Sequence, residues 1–158
     1  MNSRITLRQI RKSDLTRLLE IEKLCFPSEA WDGSLFLGYL ARYPTLFVVA
    51  KVGRKIAGYS VTSSGPDRAE LDSIAVDPLF RAHGVGSALI EHTAAELRRR
   101  QVRHWSLMVR IKNEAAIRFY KGFGFFRTRT VRGYYEDGGD AWRMSIRLEK
   151  LGSAKSQF

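Results

Sequence analysis

Arg81-Ala82-His83-Gly84-Val85-Gly86 is the stretch of this chain best suited to chemistry. A glycine loop that opens a helix is an anion site, because free N–H groups point outward there and the helix dipole favours negative charge. Glycine also lets a bulky phosphate approach the backbone closely. The bland alternative is an ordinary strand-to-helix turn. The loop is not a dinucleotide fingerprint. The third glycine of G-x-G-x-x-G would fall at Leu89, and a segment containing Pro78 separates the strand from the glycines. No metal is expected, since His83, His92 and His104 form no ligand cluster with Cys25. Cys25 itself reads as a buried packing residue.

Such a loop needs a strand before it and a helix after it. Residues 71–76 are apolar and partly β-branched, which suits a buried strand that Asp77-Pro78 ends. Beyond the loop, Gly86, Ile90, Thr93, Ala94 and Leu97 recur at helical spacing, and Arg98, Arg99 and Arg100 suit the last turn of a helix. Before this unit come a strand over 5–10, a helix over 15–25 capped by Ser13-Asp14, a short helix over 34–42, and strands over 46–52 and 55–63. After it come a strand over 104–109, a helix over 114–121 capped by Asn113 and ended by Gly122 and Gly124, and strands over 125–134 and 141–148. This order, β-α-α-β-β-β-α-β-α-β-β, predicts an α/β (α+β) fold with a mixed sheet and helices on both faces. One domain over 1–150 and a frayed polar tail over 151–158 are expected.

Composition sets the setting. The chain has 158 residues, is 44% hydrophobic, and carries one cysteine, so no internal disulfide is possible and a reducing cytoplasm fits. No signal peptide or membrane-length apolar run is evident. A net charge of +11 favours an anionic partner, such as cofactor phosphates, an acidic peptide or RNA, or else marks a basic, well-solvated surface.

Two blocks together carry a family resemblance. "SIAVDPLFRAHGVGSALIEH" resembles the acetyl-CoA-binding segment of the GCN5-related N-acetyltransferases (GNAT), with its Q/R-x-x-G-x-G/A signature. "LMVRIKNEAAIRFYKGFGF" resembles the strand, Asn-initiated helix and closing Tyr…Gly-Phe that follow it in that family. With "CFP" and "YYEDGGDAWRM" the likeness covers nearly the whole chain, and it points most closely to the ribosomal-protein-alanine N-acetyltransferases. It implies a splayed central sheet whose two middle strands part near Val76 and Val109, with the pantetheine arm of acetyl-CoA between them. Ile74, Ala75 and Val76 would pair with that arm, and the Val76 region would supply the amide for the oxyanion. Ala82, His83, Gly84, Val85, Gly86 and Ser87 would hold the diphosphate, and Asn113 would contact the cofactor further along.

Acetyl transfer to an amine needs no covalent nucleophile. The ammonium must lose a proton, the oxyanion needs donors, and the leaving thiolate should be reprotonated. The resemblance assigns the last step to Tyr120, whose phenol pKa of about 10 lies above the thiol value of about 8.5. The alternative is a core tyrosine beside Phe119 and Phe123. Close relatives carry a glutamate base where this chain has Met108, which cannot take a proton. Glu70, at the start of the central strand, is the best replacement, acting through a water. Asp72 shares its face, and a solvated strand end is the alternative for both. Phe26, Pro27 and Trp31 on one side, with Tyr134 and Tyr135 on the other, would flank the acceptor. A weak base suits an α-amine of pKa about 8 better than a lysine at about 10.4. A protein N-terminus, ribosomal or other, is therefore the expected acceptor. A small amine, a lysine side chain, or acyl-CoA binding without turnover are the alternatives. Nucleic acid and membrane are not expected as partners.

Overall fold

Residues 4–152 are described in the structure, a computed structural model. The expected tail lies outside the described residues from 153 onward. The elements run β1 (Ile5–Gln9), α1 (Leu15–Cys25), α2 (Gly33–Arg42), β2 (Phe47–Val52), β3 (Lys55–Ser64), β4 (Arg68–Val76), α3 (Val85–Arg99), β5 (His104–Arg110), α4 (Glu114–Phe123), β6 (Phe126–Val131) and β7 (Ala141–Arg147), with short 3-10 turns between some of them. They pack as two compact units interleaved along the chain. One holds the described residues up to Ser63 with Ser73–Thr93. The other holds Ser64–Asp72 and the residues from Ala94 on.

In the first unit the strand order is β1-β2-β3-β4, and β1, β2 and β3 pair antiparallel. Strand β2 sends alternate side chains to opposite faces. Phe47 and Val49 pack with Leu18 and Ile21 of α1 and Phe36 of α2, while Val48 and Ala50 pack with Val85 and Leu89 of α3. Helices therefore cover both faces, as the apolar run through β2 requires.

Two helix starts differ from the sequence reading. The Asp14 side chain does not cap α1. It accepts two hydrogen bonds from the Arg8 guanidinium, at 2.7 and 2.9 Å, and one from the Arg11 N–H at 2.7 Å, so it ties β1 to the helix start instead. Helix α2 begins a residue early because Asp32 caps it, accepting from the Leu35 N–H at 2.9 Å.

The second unit has the order β4-β5-β7-β6. Strands β4 and β5 pair in parallel from Arg68↔His104 to Leu71↔Leu107. Strand β7 runs antiparallel to β5 from His104↔Arg147 to Arg110↔Ala141. Two expected bounds are corrected here. Gly122 does not end α4, which continues to Phe123 and closes on Gly124 in the left-handed region (φ 107°). Strand β6 is shorter than 125–134. Phe125 is buried against Trp105 and Tyr120, with ring centroids 5.6 and 5.9 Å away, and the chain leaves the sheet after Val131. Tyr134 and Tyr135 thus lie in the β6–β7 loop.

Candidate active site

Ala82 and Gly84 both take positive φ, 65° and 81°, in the exposed turn between β4 and α3. Consecutive backbone in and near this region turns amides toward a common point, which is how a backbone nest holds an anion. Ala82 adopts it at a cost, since a Cβ is disfavoured there. Within α3 the Ala88 N–H bonds the Gly84 carbonyl at 3.0 Å. The amides of Val85, Gly86 and Ser87 therefore precede the first intrahelical bond and lie at the positive end of a helix of 15 residues. The Val85 side chain is buried in the core with Leu89, which pins the helix start. His83 is exposed. Ala75 is buried and Ile74 and Val76 half-buried at the end of β4.

Arg81, the first residue of the signature, folds back. Its Nε donates to the Val76 carbonyl at 3.2 Å, and the Cys25 thiol donates to the same oxygen at 3.3 Å. Cys25 is therefore half-buried and hydrogen-bonded rather than a plain packing residue. Burial pushes its thiol up, against the pull of Arg81.

The second unit gathers the expected base. Glu70 stands opposite Ser106 in the β4–β5 ladder, Ser106 opposite Ser145, and Met108 opposite Arg143. Paired residues share a face, and so do residues two apart. Glu70, Asp72, Ser106, Met108, Arg143 and Ser145 therefore line one side of the sheet. The Ser106 and Ser145 hydroxyls are 2.8 Å apart. Arg143 reaches Glu70 with two contacts, at 3.4 and 3.5 Å, between side chains about a third exposed. Burial raises the Glu70 carboxyl above the usual range; Arg143 pulls it down and Asp72 pushes it up. The net rise moves it toward the pH at which a base is effective.

Tyr120 lies on the buried face of α4, 8% exposed, with Phe119 and Phe125 edge-on to its ring. Burial first, and then the nearby Tyr135 phenol, hold it above the ordinary phenol range, so it stays protonated at neutral pH. Tyr135 is fixed from below by the Arg110 guanidinium, 3.9 Å from its ring centroid, and Arg110 is in turn paired with Asp137 at 3.1 Å. Tyr134 is exposed and meets Tyr135 edge-on at 4.9 Å. No hydrogen bond or ion pair joins Tyr120 to Glu70 among the described residues. Asn113 caps α4 through its Oδ1, which accepts from the Ala116 N–H at 3.1 Å. That leaves its side-chain N–H donors outside the cap.

In the α1–α2 connection Phe26 is half-buried and Pro27 exposed. Trp31 stacks on Tyr39 (5.1 Å, 5°) and tilts against Phe36 (5.5 Å). Arg143 was not visible as a site residue in the sequence. Its only signal is a cation inside the apolar strand segment "AWRMSI". No group of metal-ligating side chains occurs among the described residues, and no described helix is long and apolar enough to cross a membrane.

Comparison with known proteins places the chain among acetyltransferases. Residues 15–125 match the acetyltransferase (GNAT) family. The chain is 34% identical over 132 residues to the [ribosomal protein bS18]-alanine N-acetyltransferase of Escherichia coli K12, covering 82% of this chain and 86% of that protein. It is 30% identical over 155 residues to the N-alpha-acetyltransferase of Sulfurisphaera tokodaii, covering 90% and 92%. Among solved structures, Ard1 from Thermoplasma volcanium superposes with a TM-score of 0.87 at 31% identity, over 90% of this chain and 97% of that one.

Proposed function

The chain belongs to the acetyltransferase (GNAT) family, and from that premise we propose that it transfers the acetyl group of acetyl-CoA to a protein N-terminal α-amine. One observation carries the donor side: the exposed turn of Ala82 and Gly84 sets the amides that precede the first intrahelical bond of α3 at its positive end, where an anion is favoured. Ala82, His83, Gly84, Val85, Gly86 and Ser87 take the diphosphate, Ile74, Ala75 and Val76 take the pantetheine arm, and Asn113 contacts the cofactor through its free N–H donors.

Acetyl-CoA supplies an activated thioester; the chain's residues move the protons. Glu70, held by Arg143, accepts through a water the proton that the acceptor ammonium must lose. The amine nitrogen then forms its bond to the thioester carbon, with the backbone amide near Val76 donating to the oxyanion. As the carbon–sulfur bond breaks, Tyr120 gives its proton to the thiolate, the attacking nitrogen sheds its second proton to solvent to leave a neutral amide, and Tyr120 is reprotonated from solvent. Met108 lies on the same face as Glu70, so a carboxylate still serves the site although this strand position carries none.

The acceptor class rests on two supports. The Sulfurisphaera tokodaii relative is an N-alpha-acetyltransferase and the Escherichia coli one a ribosomal-protein-alanine N-acetyltransferase, and a partly solvated Glu70 is better matched to an α-amine than to the more basic lysine. Phe26, Pro27, Trp31, Tyr134 and Tyr135 receive the acceptor's first residues. A ribosomal protein is one candidate, and the cytoplasm, suited to a chain with a free thiol, is the proposed location. Calorimetric titration with acetyl-CoA, followed by a thiol-release assay against peptides of differing first residue, tests this. Binding should be seen, with release for free N-termini and none for blocked ones. Release with polyamines or amino acids alone, or binding with no release, would reject the reading.

A further inference from the structure

The sheet edge of the second unit carries a cation that the mechanism leaves unused. Strand β6 is outermost in the order β4-β5-β7-β6, and its residues 126–130 are exposed. Its register against β7 shifts between Arg127 and Arg129, so β6 holds one residue more than its partner there. Counted on from Arg127↔Met144 without that shift, Thr128 would stand opposite Arg143, and Arg129 opposite Trp142 on the other face. With the shift, Arg129 stands opposite Arg143. Arg143 in turn stands opposite Met108, on the face of Ser106 and Glu70. The irregularity therefore turns Arg129 onto the face that carries the base.

This placement costs stability, because like charges directly opposite one another in an antiparallel ladder repel. The carboxylates of that face are spent elsewhere: Arg143 takes Glu70, Arg110 takes Asp137 and Arg147 takes Glu149. Arg129 makes no ion pair or hydrogen bond through its side chain among the described residues. A neutral side chain would hold the strand without the repulsion, so strand pairing does not account for an arginine here. Three strand spacings of about 4.8 Å, about 14 Å in all, separate β4 from β6. An extended peptide advances about 3.4 Å per residue. A chain with its amine at Glu70 thus comes within reach of a long guanidinium side chain on β6 by its second to fourth residues.

We propose that Arg129 is a specificity-determining residue: its guanidinium pairs with an Asp or Glu side chain among the second to fourth residues of the acceptor, so the preferred substrates are proteins with an acidic N-terminal segment. This rests on the reading of Glu70 as the base that meets the acceptor amine. The net charge of +11 draws the same acceptors toward the molecule as a whole.

Peptides that share a first residue and carry acidic, neutral or basic residues at positions two to four test this in the thiol-release assay. Wild type should favour the acidic peptides over the neutral ones by about tenfold in kcat/KM, expressed in KM. Arg129→Gln should lose that tenfold on acidic peptides, while its rate on neutral peptides and its acetyl-CoA Kd stay within about twofold of wild type. Arg129→Glu should move the preference to the basic peptides. Arg54→Gln, in the exposed β2–β3 turn, removes the same net charge and should keep the preference. Equal kcat/KM for acidic and neutral peptides in wild type, or a preference that survives Arg129→Gln, would overturn the proposal. So would an equal loss in Arg54→Gln, which would make overall charge and not Arg129 the selector. Absence of thiol release with every peptide would overturn the acetyl-transfer reading itself, and the proposal with it.

Discussion

Tyr120, Glu70 and Arg143 can be separated by what each does to rate and to pH. Tyr120 keeps its proton until well above neutral pH, so Tyr120→Phe should lower kcat about 10²-fold while leaving the acetyl-CoA Kd near wild type. A loss of threefold or less in single-turnover rate would remove the acid role. Glu70→Gln should lower kcat/KM and flatten the acidic limb of its pH profile, because the group that titrates is gone. Arg143→Met has a different signature. Arg143 pulls the Glu70 carboxyl down, so its removal should move the acidic limb to higher pH without abolishing it. A limb that stays in place in Arg143→Met would show that the ion pair, with its contacts of 3.4 and 3.5 Å, does not tune the base. Of these three residues, Tyr120 and Glu70 were candidates already in the sequence, through the family resemblance and the place of Glu70 at the start of the central strand. Arg143 was not, because the pair joins positions 73 residues apart and only strand pairing brings them together.

The β4–α3 turn and α4 show how much an element's local chemistry already decides. Gly84 has open space where a Cβ would stand but a φ of 81°, so the constraint is conformational and not steric. Gly84→Ala should destabilise the fold by about 1 kcal/mol through that φ. It should also weaken acetyl-CoA binding by about tenfold, since a relaxed turn no longer presents its amides together. Denaturant unfolding and calorimetry check the two effects. Asn113→Ala should cost about 1 kcal/mol as a lost cap. The bounds of α1 were readable because Asp14 and Pro27 bracket a clear 3.6-residue pattern. The end of β6 was not readable. The segment from Phe125 to Tyr134 is rich in β-forming residues throughout, and what stops the strand is the buried seat of Phe125 at one end and the bond from the Gly133 N–H to Asp140 at the other.

At the scale of the whole molecule, two carboxyls pull stability in opposite directions with pH. The Arg8 guanidinium holds Asp14 below the usual carboxylate range, so its contribution is present above about pH 4 and is lost as pH falls through the lowered value. Glu22, raised to about 7, does the reverse. Its folded state keeps a proton that the unfolded chain has given up, so stability falls as pH rises from about 4.3 to 7 and then levels. Calorimetry should therefore show Glu22→Gln gaining Tm over wild type between pH 5 and 8, by about 5 to 10 °C, with no further gain above. A constant difference across that range would mean that Glu22 is ionised throughout.

What the amino-acid order determined by itself was the succession of elements, the glycine turn ahead of α3 and the tyrosine on α4. Each is written in short-range terms: apolar periodicity, capping residues, and glycines that permit positive φ. What only the tertiary structure decided was which polar side chains meet. Arg143 reaches Glu70 across the face that Met108 shares, Asp14 turns from its own helix to Arg8, and Glu22 is carried into the core on the face of α1 that buries Leu18 and Ile21. Strand register and burial govern those encounters. Both are properties of the packed chain, since the desolvation of a carboxylate and the identity of its partner depend on residues that are distant in sequence.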